Sequence, residues 1–185
     1  MFNYYFITTL KSLDKNLSMP IDIKDFIKAA YDYCPQEIVD NLEYLDAYKS
    51  LISSNLLKED YWSIIEKKTR SNLIKNYALF KLSFNFTLSK FYEKKYGLKP
   101  LEQEIIFDNS EDFLNIMHLI SSSNAIVTQN LLHEYFWQKI ENLKPQDPFH
   151  EDHIYAYFLH LQLLDRKYSY NEAKGQQILF SLRAD

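Results

Sequence analysis

Residues 72–96 read NLIKNYALFKLSFNFTLSKFYEKKY, and the period of this stretch decides the fold class. Leu73, Tyr77, Phe80, Phe84, Leu88 and Phe91 follow one another at helical steps of four and three. That spacing lays one apolar stripe along a helix of about 25 residues, roughly 37 Å long. Leu79, Leu82 and Phe86 fall on nearly the opposite side, which predicts packed neighbours on both faces. A strand competes with this reading. Phe80, Leu82, Phe84, Phe86 and Leu88 alternate with Lys81, Ser83, Asn85, Thr87 and Ser89, the period of a half-buried strand. The helix is preferred because its pattern continues past the alternating segment at both ends and no turn residue interrupts it. Gly97 follows at once, with Lys94 and Lys95 in the last turn and Pro100 three residues on. A glycine for the left-handed cap, cations at the negative end of the dipole and then a breaker form a complete helix ending.

Composition extends this reading to the whole chain. The 185 residues suffice for one domain with a core of its own. Two glycines leave few sites for tight hairpins. Fifteen Tyr and thirteen Phe make aromatic rings the main core material. The expectation is an all-α fold: one compact multi-helix bundle over residues 1–185 with the 72–96 helix at its centre.

Towards the N-terminus, Phe2–Leu13 is short and amphiphilic and reads as helix. Asp22 can cap a helix over 23–33 that faces the core with Ile23, Phe26, Ile27 and Ala30. Pro35 suits the first position of the next helix, which runs to about Ser53 and buries Ile38, Leu42, Leu45 and Tyr48. A further helical piece spans 59–68 around Tyr61, Trp62 and Ile65. Beyond Gly97, residues 99–109 read as an ordered connector, and Asn109 or Ser110 can cap a helix over 111–121. Its buried side would be Phe113, Leu114, Met117 and Leu119 or Ile120. Ser121–Asn124 is a polar break. The helix over 125–143 carries Val127, Leu131, Tyr135 (or Leu132 and Phe136) and Ile140. Residues 144–148 form the clearest loop, and 151–166 read as an amphipathic helix with Ile154, Tyr157, Phe158, Leu161 and Leu164 inward. Ser169 and Glu172 make a capping box for a last helix.

The formal net charge is −4, unevenly spread. Between Glu66 and Lys99 nine Lys or Arg face two Glu, so this segment is strongly basic and the remainder carries about −11. Such asymmetry marks either a solvated basic helix face or a site for an acidic partner, lipid headgroups or RNA. Lys67, Lys68, Arg70, Lys75 and Lys81 are the candidate partner-binding residues. Cys34 is the single cysteine, so no disulfide framework exists and a reducing, cytoplasmic setting is expected. The first residues lack the basic start of a signal peptide, and no apolar run approaches the length of a membrane span.

Catalytic chemistry finds little support. His150-Glu151-Asp152-His153 is the densest set of potential ligands, but zinc needs three or four converging groups, and an acidic first helical turn explains it equally. His133-Glu134 lacks the second histidine of a metalloprotease helix. Cys34 lies at a helix start, where a thiolate gains stability, yet no base is assigned to it. Two glycines cannot build a phosphate-cradling loop, and the scattered serines form no nucleophile motif. Asp22/Asp25 and Glu111/Asp112 read as first-turn residues. No catalytic, cofactor-binding, nucleotide or metal site is expected, and the chain reads as non-enzymatic.

Three stretches carry a resemblance. The first is Asn3-Tyr4-Tyr5-Phe6-Ile7-Thr8-Thr9-Leu10. The second is the long helix through Tyr96-Gly97 with Ile105-Ile106-Phe107-Asp108-Asn109. The third comprises Leu132, Glu134, Trp137, Asp147-Pro148-Phe149, Ile154, Tyr157, Leu161, Leu164, Gly175 and Phe180. Together they resemble an uncharacterised bacterial family encoded among V/A-type ATPase subunit genes in spirochaetes, chlamydiae and Bacteroidetes. The resemblance implies a helical, non-catalytic accessory component of a rotary ATPase, filling the role of the socket between the rotating central stalk and the membrane c-ring. Its partners would be stalk and c-ring subunits, its substrate flow proton or sodium transport, and its location the inner face of the cell membrane, reached through those partners. No nucleic acid is expected. The alternative is a helical adaptor or assembly protein that binds an acidic partner, lipid headgroups or RNA through residues 66–99.

Overall fold

The computed structural model describes residues 2–52, 69–97, 115–116, 118–121 and 124–169. Six helices are delimited there: α1 (Phe2–Thr9), α2 (Ile23–Tyr33), α3 (Gln36–Ile52), α4 (Asn72–Tyr96), α5 (Ala125–Leu143) and α6 (Asp152–Ser169). Helix takes 76% of the described residues and none lies in a strand, so the all-α class holds. Packing divides the chain into two compact units, Met1–Tyr44 with Phe136–Asp185, and Leu45–Tyr135.

In the first unit α2 begins where Asp22 Oδ1 accepts the Lys24 N–H at 2.8 Å, satisfying one of the helix's free donors. Its expected stripe faces inward: Phe26 and Ala30 are fully buried, Ile23 and Ile27 half-buried. The Phe26 ring lies 5.5 Å from Phe6 of α1, 5.3 Å from Tyr157 and 5.8 Å from Phe158 of α6. One residue thus joins three helices.

Pro35 stands one position earlier than its fixed φ suggests. Its carbonyl accepts from Ile38 and Val39, so it precedes the first turn of α3 rather than opening it. Cys34 ahead of it is extended (φ −113°, ψ 153°), as a residue before proline prefers, and its N–H closes α2 on Ala30. Ile38, Leu42 and Leu45 are buried as their spacing predicts, and Val39 and Asn41 join them. Asn41 Nδ2 donates to the Tyr155 hydroxyl at 2.9 Å. Both groups are buried, where a polar atom without a partner is expensive.

The amphipathic reading of α6 needs correction. Ile154, Phe158, Leu161 and Leu164 are buried, but so are Tyr155, Ala156, Leu159, His160 and Leu163. A helix covered around its middle turns belongs inside a core, and polar groups then concentrate at its ends. α6 also continues to Ser169, past Arg166, so Ser169 ends this helix, and the last helix expected after it lies outside the described residues. Near that end Lys167 Nζ donates to the Lys15 carbonyl at 2.7 Å and the Tyr168 hydroxyl to the Asn16 carbonyl at 3.4 Å, tying down the α1–α2 connector.

In the second unit α4 covers the predicted span without change. Ser71 Oγ accepts the Ile74 N–H at 3.1 Å, and Gly97 stands at φ 65°, ψ 27°. Leu73, Tyr77, Phe80 and Phe84 are buried, Leu88 and Phe91 half-buried, and so are Leu79, Leu82 and Phe86 of the opposite side. The strand alternative is therefore excluded. A methyl group on Gly97 would meet nothing within 4 Å, so only the left-handed backbone resists substitution. Gly97→Ala is expected to cost about 1 kcal/mol, read from the shift of the urea midpoint.

Two expectations on α5 fare differently. Asn124 Oδ1 accepts from the N–H groups of Ile126 and Val127 at 3.0 and 3.3 Å, opening the helix at Ala125. Of its two candidate stripes, Phe136 and Ile140 are buried with Trp137 and Leu132 is half-buried. Val127 and Leu131 are instead 45% and 40% exposed. The bulky pair Phe136-Trp137 turns that side inward and rotates the Val127–Leu131 line outward. Ile116 is fully buried, with Leu119 and Ile120 half-buried. Phe113, Leu114 and Met117, the 59–68 helix and the 99–109 connector lie outside the described residues.

Candidate functional site

Of the five basic residues singled out, Lys67 and Lys68 lie outside the described residues. Arg70 is exposed immediately before the Ser71 cap, and Lys75 and Lys81 are half-buried on α4. Six residues separate that pair, about 120° around the helix axis at 100° per residue, so they do not share one stripe.

A different cationic group gathers at the other end of α4. Lys90 Nζ lies 5.3 Å from the Phe86 ring centre, and Lys95 Nζ lies 5.5 Å from the rings of both Phe91 and Tyr96. Tyr92 stacks on Tyr96 at 5.8 Å and meets Phe91 edge-on at 5.6 Å. Tyr92 and Tyr96 remain 42% and 61% exposed. Each exposed cation–ring contact contributes about 0.5–1 kcal/mol, and exposed tyrosine rings are enriched at protein interfaces. Sequence reading missed this cluster because its members served there as the tail of an apolar stripe and as capping cations. The available signal was the recurrence of i, i+4 pairs at 86/90, 91/95 and 92/96.

The His150–His153 tract serves helix entry. His150 Nδ1 accepts the Asp152 N–H at 3.2 Å, while His153 Nε2 donates to the Asp147 carbonyl at 3.0 Å. Among the described residues no three His, Cys, Asp or Glu converge as metal ligands. Burial, followed by the charges of Asp152 and Glu37, raises the Glu151 carboxyl above its ordinary range, against a lowering by His150. The folded chain therefore holds this proton to higher pH than the unfolded chain. Stability is lost as pH rises from the ordinary glutamate range through the raised value, and the penalty persists at neutral pH. Glu151→Gln is expected to melt slightly higher than the wild type at pH 7 and level with it at a pH low enough to protonate Glu151 in the folded and unfolded chain alike, as thermal melts from pH 3 to 8 would read.

Cys34 is not the activated thiol that a helix start can produce. Burial pushes its thiol up to about 11, which keeps it protonated and weakly nucleophilic at neutral pH. The Asp22 carboxylate acts as the cap already described, and His133 and Glu134 are half-buried on α5.

The first unit also carries a half-open pocket of about 240 Å³. Trp137, Glu141 and Lys144 line it from α5 and the turn beyond, His153, Tyr157 and His160 from α6. Ile7, Leu10 and Leu13 close it from α1 and the following connector, with Lys11 and Ser12 beside them. The Trp137 and His160 rings stack at 4.0 Å and 16°. His160, 2% exposed, directs Nε2 towards the Trp137 carbonyl at 3.4 Å and Glu141 Oε1 at 3.6 Å. Two acceptors on that side place a proton on Nε2. Neither a family model, nor a curated protein, nor a solved structure matches the chain. No helix among the described residues is long and apolar enough to cross a membrane.

Proposed function

We propose that the chain is a non-catalytic accessory subunit of a V/A-type rotary ATPase, docking between the central stalk and the c-ring at the inner face of the cell membrane and serving proton or sodium transport. The assignment to that machine rests on the resemblance in sequence. The structural observation in its support is the exposed group Tyr92, Lys95 and Tyr96 at the end of a long, doubly capped helix. Stacked rings under a cation offer a stiff surface with little side-chain entropy left to lose, which suits docking on an acidic protein face. Arg70, Lys75 and Lys81 extend the cationic character of α4 towards its N-terminus.

A mild-detergent pull-down of the tagged chain from its own cells tests the assignment. Co-recovery of the ATPase catalytic and c-ring subunits in fixed ratio is the expected result, weakened when Lys95 is reversed to Glu and Tyr92 and Tyr96 are replaced by Ser. Recovery of neither overturns it. The second reading, an adaptor or assembly protein binding an acidic partner, lipid headgroups or RNA through residues 66–99, draws on the same Lys90 and Lys95 contacts. Binding to RNA or anionic vesicles that falls steeply with salt would favour it.

A further inference from the structure

One side of the pocket in the first unit is lined from α5 with the turn after it, and from α6. Trp137, Glu141 and Lys144 are spaced by four and three residues, and so are His153, Tyr157 and His160. Trp137 and His160 are buried there, whereas Glu141 is exposed and Lys144 stands past the end of α5. All six side chains carry a nitrogen or oxygen. Part of the set is matched internally: Lys144 Nζ donates to Glu141 Oε1 at 2.6 Å, and His160 Nε2 lies 3.6 Å from the same oxygen. The opposite wall is aliphatic, closed by Leu10 and its neighbours.

Charge and volume narrow what fits. Glu141 answers one of the two lysines in the lining, so lysine and glutamate alone leave one formal positive charge. The second cation belongs to Lys11, exposed beside Ser12 in the connector. A volume of about 240 Å³ equals roughly eight waters at about 30 Å³ each, the scale of a single ring or short aliphatic chain.

We propose that this cavity is a binding site for a small organic acid: one carboxylate held by Lys11 and Ser12 at the rim, and an apolar body lying between the Trp137–His160 stack and Leu10. The Trp137–His160 stack then supplies a flat wall for the apolar body. The site is separate from the docking group on α4, which lies in the other unit.

Equilibrium dialysis of the full chain with labelled benzoate at pH 7 tests the proposal, with benzylamine and inorganic phosphate run as separate probes. Saturable binding of benzoate alone is expected. Lys11→Glu, a change at an exposed position whose folding is checked by circular dichroism, should weaken it about tenfold or more through loss of a charge-assisted bond. Leu10→Trp, which fills the apolar end, should abolish it. The proposal is overturned by any of four results: no saturable benzoate binding, equal binding of benzylamine, binding of phosphate in preference to benzoate, or unchanged affinity in the folded Lys11→Glu protein.

Discussion

Phe26→Ala is expected to destabilise the first unit by about 3–5 kcal/mol. Phe26 has no exposed surface, and its ring touches Phe6, Tyr157 and Phe158. Truncation removes the transfer free energy of a whole phenyl group and also three ring–ring contacts worth about 0.5–1.5 kcal/mol each. The resulting cavity cannot close cheaply, because the three rings belong to two other helices, each held by further contacts. Urea denaturation followed by circular dichroism should give a lower midpoint with an unchanged slope. Phe26→Leu, which keeps most of the volume, should recover more than half of the loss. A Phe26→Ala protein within 1 kcal/mol of the wild type, taken as about the smallest difference that signals core damage, would show that this ring is not the junction of the three helices.

The second large effect belongs to the other unit. Phe80→Ala on α4 should cost about 3–5 kcal/mol. Phe80 is 5% exposed, with Tyr135 of α5 at 5.7 Å and Tyr77 one turn away at 6.2 Å. Leu82→Ala provides the comparison. Leu82 occupies the half-buried side of the same helix, and its truncation should cost less than half as much. Had residues 80–88 formed a strand, Phe80 and Leu82 would share one face and the two variants would weaken the protein alike. The ratio of the two losses, measured in urea, is therefore a solution test of the helical register.

Much of this architecture was legible because local chemistry decided it. The bounds of α4 follow from Ser71 and Gly97, and those of α2 from Asp22 and the Cys34-Pro35 pair, where a cap or a breaker leaves little choice. The face of α5 was less accessible: Val127–Leu131 and Leu132–Phe136 are both good helical stripes, and only packing around Phe136 and Trp137 separates them. Burial all around α6 was equally hidden, since His160 and Tyr155 look polar in a sequence and are inside only because Trp137 and Asn41 receive them. The candidate site followed the same rule. Lys75 and Lys81 were visible as charges, but their angular separation follows from the helix, and the cation–ring cluster at 86–96 needed side-chain directions. The cavity gave no signal along the chain, because its walls come from segments more than a hundred residues apart.

That separation bears on how the protein is made. The first unit draws on Met1–Tyr44 and on Phe136–Asp185, so Phe6 and Phe26 wait for Tyr157 and Phe158 while the intervening segment is synthesised. At roughly 5–20 residues per second the delay is on the order of ten seconds. Throughout it α1 and α2 can meet each other but have no α6 to cover them, and their rings face water on the ribosome. Leu45–Tyr135 lies entirely within the intervening stretch and is complete before translation reaches α6. Birth order therefore favours the second unit, and the nascent N-terminal helices are where a ribosome-bound chaperone has most to protect.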